Sequence, residues 1–140
     1  LLKIDLSETT LHMNKYIFLD TETGGIELEC SLLTSYFLIV DEFGANKDAL
    51  YLSTIPDDGI FKVKGEALEI NKIHLVKHTK ASIPYKKAAK LLYNFLNEQS
   101  NGGATKLIPV GQNIQFDLGH IHDKFLSKAT WNNFVSYRTI

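Results

Sequence analysis

The residues of this chain whose type and spacing could do chemistry begin with Asp20 and Glu22. They stand two apart in Ile17-Phe18-Leu19-Asp20-Thr21-Glu22-Thr23-Gly24-Gly25, after three apolar residues and before two glycines. In an extended segment residues i and i+2 point to the same side. A strand that persists through position 22 therefore puts both carboxylates on one side and Thr21 on the other. Two such acids repel unless something positive lies between them. A hard divalent cation that takes oxygen ligands, Mg²⁺ or Mn²⁺, meets that need. Gly24 and Gly25 allow a sharp turn or a close approach of backbone to a ligand. A bare Asp-x-Glu remains a weak signal, since a strand can also end in two solvated acids.

A third carboxylate stands far along the chain, in Val110-Gly111-Gln112-Asn113-Ile114-Gln115-Phe116-Asp117. A strand is expected to end in Gly-Gln-Asn, and Asp117 falls near the start of the helix that follows. A helix N-terminus favours an acid for purely structural reasons. The functional alternative is that this segment neighbours the first strand, so that Asp117 completes an acidic cluster with Phe116 anchored in the core.

The elements that must position these groups follow from the pattern of apolar residues. Tyr16 to Leu19 reads as a short buried strand. Leu32 to Val40 is a longer one, rich in aromatic and branched residues, and Ala49 to Leu52 is a third. A turn over 41–46 joins the last two, which suggests an antiparallel meander. Pro56-Asp57-Asp58-Gly59 is a turn, and Glu66 to Lys72 a short helix. Ser82-Ile83-Pro84 looks like a helix start, with a capping hydroxyl and then proline in the first turn. Ala88, Leu91, Leu92 and Phe95 continue it as one apolar stripe, and Asn101-Gly102-Gly103 ends it. Lys106 to Val110 reads as a further strand, though Pro109 removes a ladder donor there. A second long helix is expected over 116–125, with Leu118, Ile121, His122 and Phe125 on one face. Strands first, then helix–strand–helix, make a mixed α/β domain with helices against the sheet.

Composition sets limits on this reading. The chain has 140 residues, 44% hydrophobic and 22% charged, which suits one globular domain. No apolar run is long enough to span a bilayer, and no basic-then-apolar leader opens the chain. One cysteine, Cys30, excludes an internal disulfide and suits a reducing cytoplasm; it reads as a buried small hydrophobe. The net charge of −1 hides an uneven layout. Residues 1–61 hold 11 acids and 3 lysines, a net −8; residues 62–90 hold 8 lysines and 2 glutamates, a net +6; the remainder is +1. A metal site beside a phosphate-binding surface would produce that layout, and so would a solvated helix face. His74 and His78 have i, i+4 spacing but no glutamate pattern to make them a metal site. Trp131 and Phe134 are expected in the core.

Taken together, the two acidic segments carry a resemblance. Asp20-Thr21-Glu22-Thr23-Gly24-Gly25 after a hydrophobic strand resembles the first motif of the DEDD (DnaQ-like) 3′–5′ exonucleases. Asn113-x-x-Phe116-Asp117 after a strand resembles their second, and Glu66-Ala67-Leu68-x-Ile70-Asn71 between them is also similar to the family. The likeness covers roughly residues 15–128. It implies a ribonuclease H-like α/β fold: an antiparallel meander, then a parallel strand, with flanking helices, C-terminally incomplete. It implies two divalent cations, Mg²⁺ or Mn²⁺, and hydrolysis of a terminal phosphodiester of DNA or RNA to nucleoside 5′-monophosphates. Asp20, Glu22 and Asp117 would be the catalytic metal ligands, Asp20 bridging both ions. Thr21, Thr23, Gly24, Gly25, Asn113 and Phe116 would bind the substrate end. The partner would be a single-stranded 3′ end, with proofreading beside a polymerase III epsilon-like assembly, repair or RNA trimming all compatible with the family; any polymerase or other protein partner is unspecified.

The chain departs from the family pattern in two places. Gln112 stands where many members place His. The third motif, a His or Tyr base followed by a fourth carboxylate, is absent: Asp123 is the only later acid, inside the helix with His120 and His122, which read as surface or helix-packing residues. The chain lacks an initial Met and stops at Tyr137-Arg138-Thr139-Ile140, so both ends are expected to be cut. Residues 1–140 are expected to be one exonuclease-like domain lacking the third-motif region, and inactive or nearly so alone. Two other readings stay open: a nuclease-derived nucleic-acid-binding module without turnover, and an unrelated α/β domain with a structural cation, which a different sheet order would reveal.

Overall fold

The structure, a computed structural model, describes residues 13–45 and 47–137. Its sheet has five strands: β1 (Lys15–Thr23), β2 (Leu32–Asp41), β3 (Lys47–Ile55), β4 (Ile83–Pro84) and β5 (Ile108–Val110), in the order β4-β3-β2-β1-β5. β1, β2 and β3 form the expected antiparallel meander, and β5 lies parallel to β1, pairing Tyr16 with Ile108 and Phe18 with Val110. Thus the strand before Asp117 and the strand carrying Asp20 are direct neighbours. Only three residues of the expected 106–110 strand pair in β5, and Pro109 is one of them. The turn after β2 closes through Gly44 N–H on the Asp41 carbonyl, 3.0 Å; Asn46, its expected last residue, lies outside the described residues.

Among the described residues there are five helices, in chain order α1 (Gly65–Asn71), α2 (Leu75–Ala81), α3 (Tyr85–Gln99), α4 (Ile114–Lys124) and α5 (Lys128–Trp131). Alternation along β1 buries Ile17 and Leu19, and alternation along β2 buries Phe37 and Ile39. Against that face pack Ala88, Leu92 and Leu96 of α3, Ile114 and Ile121 of α4, and Trp131 with Phe134 and Val135 beyond α5. Each fully buried leucine or isoleucine there contributes about 1.5–3 kcal/mol. The α3 residues recur at i, i+4 and i+8, the spacing of one helix face. α3 ends as expected, with the Gly102 N–H on the Asn97 carbonyl at 2.8 Å and positive φ at Asn101, Gly102 and Gly103.

Three sequence expectations differ from the structure. Ser82 does not cap α3; its hydroxyl donates to the His78 carbonyl and closes α2. Ile83 and Pro84 instead pair with the end of β3, and α3 begins at Tyr85. Its first turn is held from outside, by Asp57 Oδ1 accepting from the Lys86 N–H at 3.0 Å. Helix α2 was not expected, because its apolar residues are few and Val76 faces solvent at 60% exposure. Phe116 is half-buried and lies outside the core, its ring on His120 at 5.0 Å; Ile114 supplies the anchor expected of it.

Candidate active site at the end of β1

The alternation of β1 continues through the two acids. Thr21 and Thr23 are buried, while Asp20 and Glu22 project from the opposite, open face. Across the sheet Asp20 faces Tyr36 and Glu22 faces Thr34, with an irregularity in the ladder between Glu22 and Thr23. Phe18 and Tyr36 share that open face, 40% and 41% exposed.

Asp117 comes to this strand end from the first turn of α4. The Thr21 hydroxyl donates to Asp117 Oδ1 at 2.5 Å, so a residue on the covered side of β1 fixes the third carboxylate. Burial pushes the Glu22 carboxyl above its ordinary value of 4.5, and the charges of Asp20 and then Asp117 push it further. Asp117 is likewise raised by burial and by Asp20, with the Thr21 hydroxyl working the other way. The three acids expected from sequence therefore lie in one another's field. Repulsion of this kind is relieved by a cation between them. The donor set is all carboxylate oxygen, which fits a hard divalent ion rather than a soft one. Among the described residues, no three His, Cys, Asp or Glu side chains are already drawn together tightly enough to grip an ion.

The glycines serve the loop that follows. A Cβ on Gly24 would lie 2.6 Å from the Lys62 carbonyl oxygen and from Val63 Cγ1, and one on Gly25 would lie 2.6 Å from Cys30 Sγ. Gly24 N–H donates to the Ser31 carbonyl at 2.8 Å, and its carbonyl accepts from Lys64 N–H at 2.6 Å. The Thr23 hydroxyl is taken up by the Gly25 carbonyl at 2.7 Å. Asn71, the last residue of α1, donates from Nδ2 to the Thr23 carbonyl at 3.1 Å. The segment similar to the family between the two motifs thus touches the end of β1. A depression of about 200 Å³ opens beside Gly25, lined by Ile26, Lys64, Glu66, Ala67 and Ile70. Ile26 and Ile70 are each 82% exposed. Ile70 belongs to the segment already noted as similar to the family, whereas Ile26 was passed over; an apolar residue directly after the glycines was the available signal.

Asn113 takes a left-handed conformation (φ 53°) and caps α4 without a side-chain bond, leaving its side chain at the surface beside Gln112. The histidines do not join the site. His78 is buried, with Nε2 on the Thr54 carbonyl at 2.6 Å and Nδ1 on Ser53 Oγ at 3.2 Å, so it is no metal ligand with His74. His122 Nδ1 meets the Leu126 carbonyl at 3.1 Å. His120 is buried with neither ring nitrogen bonded, and burial lowers its pKa. Asp123 pairs with Lys124 at 2.9 Å. Cys30 is buried, as expected, with its thiol 3.5 Å from Glu27 Oε2.

Sheet order, helix placement and a carboxylate-bearing first strand define a ribonuclease H-like α/β fold. Solved structures that share it include exonuclease I structures. A complex of exonuclease I with the inhibitor CFAM superposes with a TM-score of 0.69 at 15% identity, covering 89% of this chain and 28% of that one. E. coli exonuclease I with a dT13 oligonucleotide gives 0.67 at 15% identity, covering 88% and 27%. Exonuclease I from Methylocaldum szegediense gives 0.61 at 17% identity, covering 78% and 22%. The chain thus spans about a quarter of the length of the structures it matches, and at these identities the likeness is one of fold. This removes the unrelated α/β reading. No protein-family model and no curated protein matches the chain. No helix among the described residues is long and apolar enough to cross a membrane.

Proposed function

We propose that the chain is the carboxylate-bearing core of a metal-dependent 3′–5′ exonuclease, hydrolysing terminal phosphodiester bonds of single-stranded DNA or RNA to nucleoside 5′-monophosphates. The observation that carries this is the placement of Asp20 and Glu22 on one face of β1 with Asp117 held to the same strand by the Thr21 hydroxyl at 2.5 Å, in a fold shared with exonuclease I. Asp20 and Glu22 would hold two divalent cations, Mg²⁺ or Mn²⁺, and Asp117 would support the second. When bound, such a pair supplies positive charge to the attacking and leaving oxygens of an in-line displacement. The chain's own residues do the placing. Thr21 orients Asp117. The depression beside Gly25, with Ile26 and Ile70 at its wall, offers an apolar seat for the terminal nucleoside. Asn113 and Phe116 approach from the α4 side, and the Thr23-Gly24-Gly25 backbone from the β1 side. E. coli exonuclease I was solved with an oligonucleotide, which supports a single-stranded substrate, and an exonuclease I with the C-terminus of SSB, which supports a protein partner.

The test uses the intact protein that carries this chain and a 5′-labelled single-stranded oligonucleotide, in Mg²⁺ or Mn²⁺. The expected result is a ladder shortening from the 3′ end with release of mononucleotides, abolished by Asp20→Asn. DNA and RNA both left intact would refute the enzyme. A binding module without turnover, motivated by the lack of a third-motif pattern after Asp117 in this sequence, gives a different outcome: strand bound but uncut, and Asp20→Asn without effect on binding.

A further inference from the structure

We propose that the lysines at the start of α3, Lys86, Lys87 and Lys90, together with Lys80 at the end of α2, carry the phosphate backbone of a single-stranded nucleic acid upstream of the end held at the carboxylates. The direction of the strand rests on the nuclease reading above; the surface rests on charge and position.

Position comes from the sheet register. Glu22 pairs with Thr34, and Thr34 with Ser53, so one row crosses β1, β2 and β3 at the carboxylate end. β4 attaches one residue further, pairing Thr54 with Ile83 and Ile55 with Pro84, and α3 starts at the next residue. The lysines therefore sit at the same end of the sheet as Asp20 and Glu22. Three strand spacings separate β4 from β1, about 14 Å. Tyr85 ties the two regions: its hydroxyl lies 2.8 Å from the Leu32 N–H and 3.1 Å from the Leu32 carbonyl, at the strand end that faces Thr23.

Charge points the same way. Helices favour acids in the first turn and bases in the last, yet α3 has no acid in its first turn and no base in its last. Lys86 and Lys90 stand one turn apart and repel. The arrangement therefore works against the helix that bears it. Among the described residues the ion pairs are Lys64–Glu27 and Lys124–Asp123, so Lys80, Lys86, Lys87 and Lys90 have none. With Pro84 and Asp57, the three α3 lysines line an open depression of about 670 Å³. Asp57, the one acid lining it, accepts from the Lys86 backbone N–H. What remains for a ligand is a set of free ammonium groups, which suits the evenly spaced charge of a phosphodiester chain.

The test is fluorescence anisotropy of a labelled single-stranded oligonucleotide of about 16 nucleotides with the intact protein, across salt concentrations. Each lysine–phosphate contact on a single strand adds about 0.7 to the slope of log affinity against log salt. Losing three lowers the slope by about 2, so over a fourfold rise in salt the native protein weakens about 20-fold more than the Lys86→Gln/Lys87→Gln/Lys90→Gln variant. The Arg triple variant should restore the slope, which excludes misfolding as the cause. An unchanged slope in the Gln variant overturns the proposal. Equal binding of polyglutamate, lost equally in that variant, also overturns it and assigns the surface to an acidic protein. Asp20→Asn separates the two readings: cleavage absent in native and Asp20→Asn protein alike, with a slope that responds to the lysines, refutes the nuclease and leaves the binding surface standing.

Discussion

Replacing Glu22 by Gln should make the metal-free protein more stable at neutral pH. Glu22 and Asp20 lie two strand residues apart, about 6.7 Å. Two charges at that distance repel by about 0.6 kcal/mol at the dielectric of water and by up to about 2.5 kcal/mol at a surface value near 20. Both carboxylates are exposed, so screening holds the term near the lower figure, and Asp117 adds a second repulsion. The expected gain for Glu22→Gln is about 1 kcal/mol, or roughly 3 °C in Tm for a chain of this size. The pH dependence follows from linkage. An acid whose folded pKa is raised binds more protons in the native state, so its contribution is favourable below its ordinary value of 4.5 and is lost as pH rises through the raised value. The advantage of the Gln variant should therefore be present at pH 7 and vanish below about pH 4. Urea unfolding at both pH values, with chelator and then with Mn²⁺, reads all of this. Mn²⁺ should stabilise the native protein and leave the variant nearly unmoved. A variant no more stable than the native protein at pH 7, or equally favoured at pH 4, would refute the cluster.

Thr21→Val removes the hydroxyl that holds Asp117; Mn²⁺ affinity by calorimetry should fall about tenfold or more, as when a ligand loses its orienting partner, while an unchanged affinity would separate Asp117 from the metal site. Gly24→Ala drives a methyl into the Lys62 carbonyl and Val63 and should cost about 1–3 kcal/mol in urea unfolding. Gly65→Ala, where a Cβ meets nothing within 4 Å, should not be destabilising.

Much of the frame was legible because its signals are local. Tyr36, Phe37, Leu38 and Ile39 announce a strand, and Ala88, Leu92 and Phe95 announce a helix face. The alternation that separates Asp20 and Glu22 from Thr21 follows from strand geometry alone. What escaped depends on partners distant in sequence. α2 is held through His78, whose ring is bonded to Ser53 and the Thr54 carbonyl, and a histidine in a lysine-rich stretch carries no apolar period. Ser82 looked like a cap for α3, but the edge of β3 claimed the next two residues and moved the start to Tyr85. By resemblance Thr21 was expected at the substrate end; it is buried instead, and its bond to Asp117 joins residues 96 apart. Phe116 was expected inside as an anchor, yet Ile114, two residues earlier and so on the other side of the helix, is the residue that faces the core.

The pairing of β1 with β2 has a consequence for folding. A slip of one residue would turn Asp20 and Glu22 toward Phe37, Leu52 and Leu92, and bring Ile17, Leu19, Thr21 and Thr23 out to water. Burying two unpaired carboxylates costs several kcal/mol each, more than the ladder could return. The acids thus police the register of the strand that displays them. A chain that mispairs here is rejected during folding, before any ligand arrives.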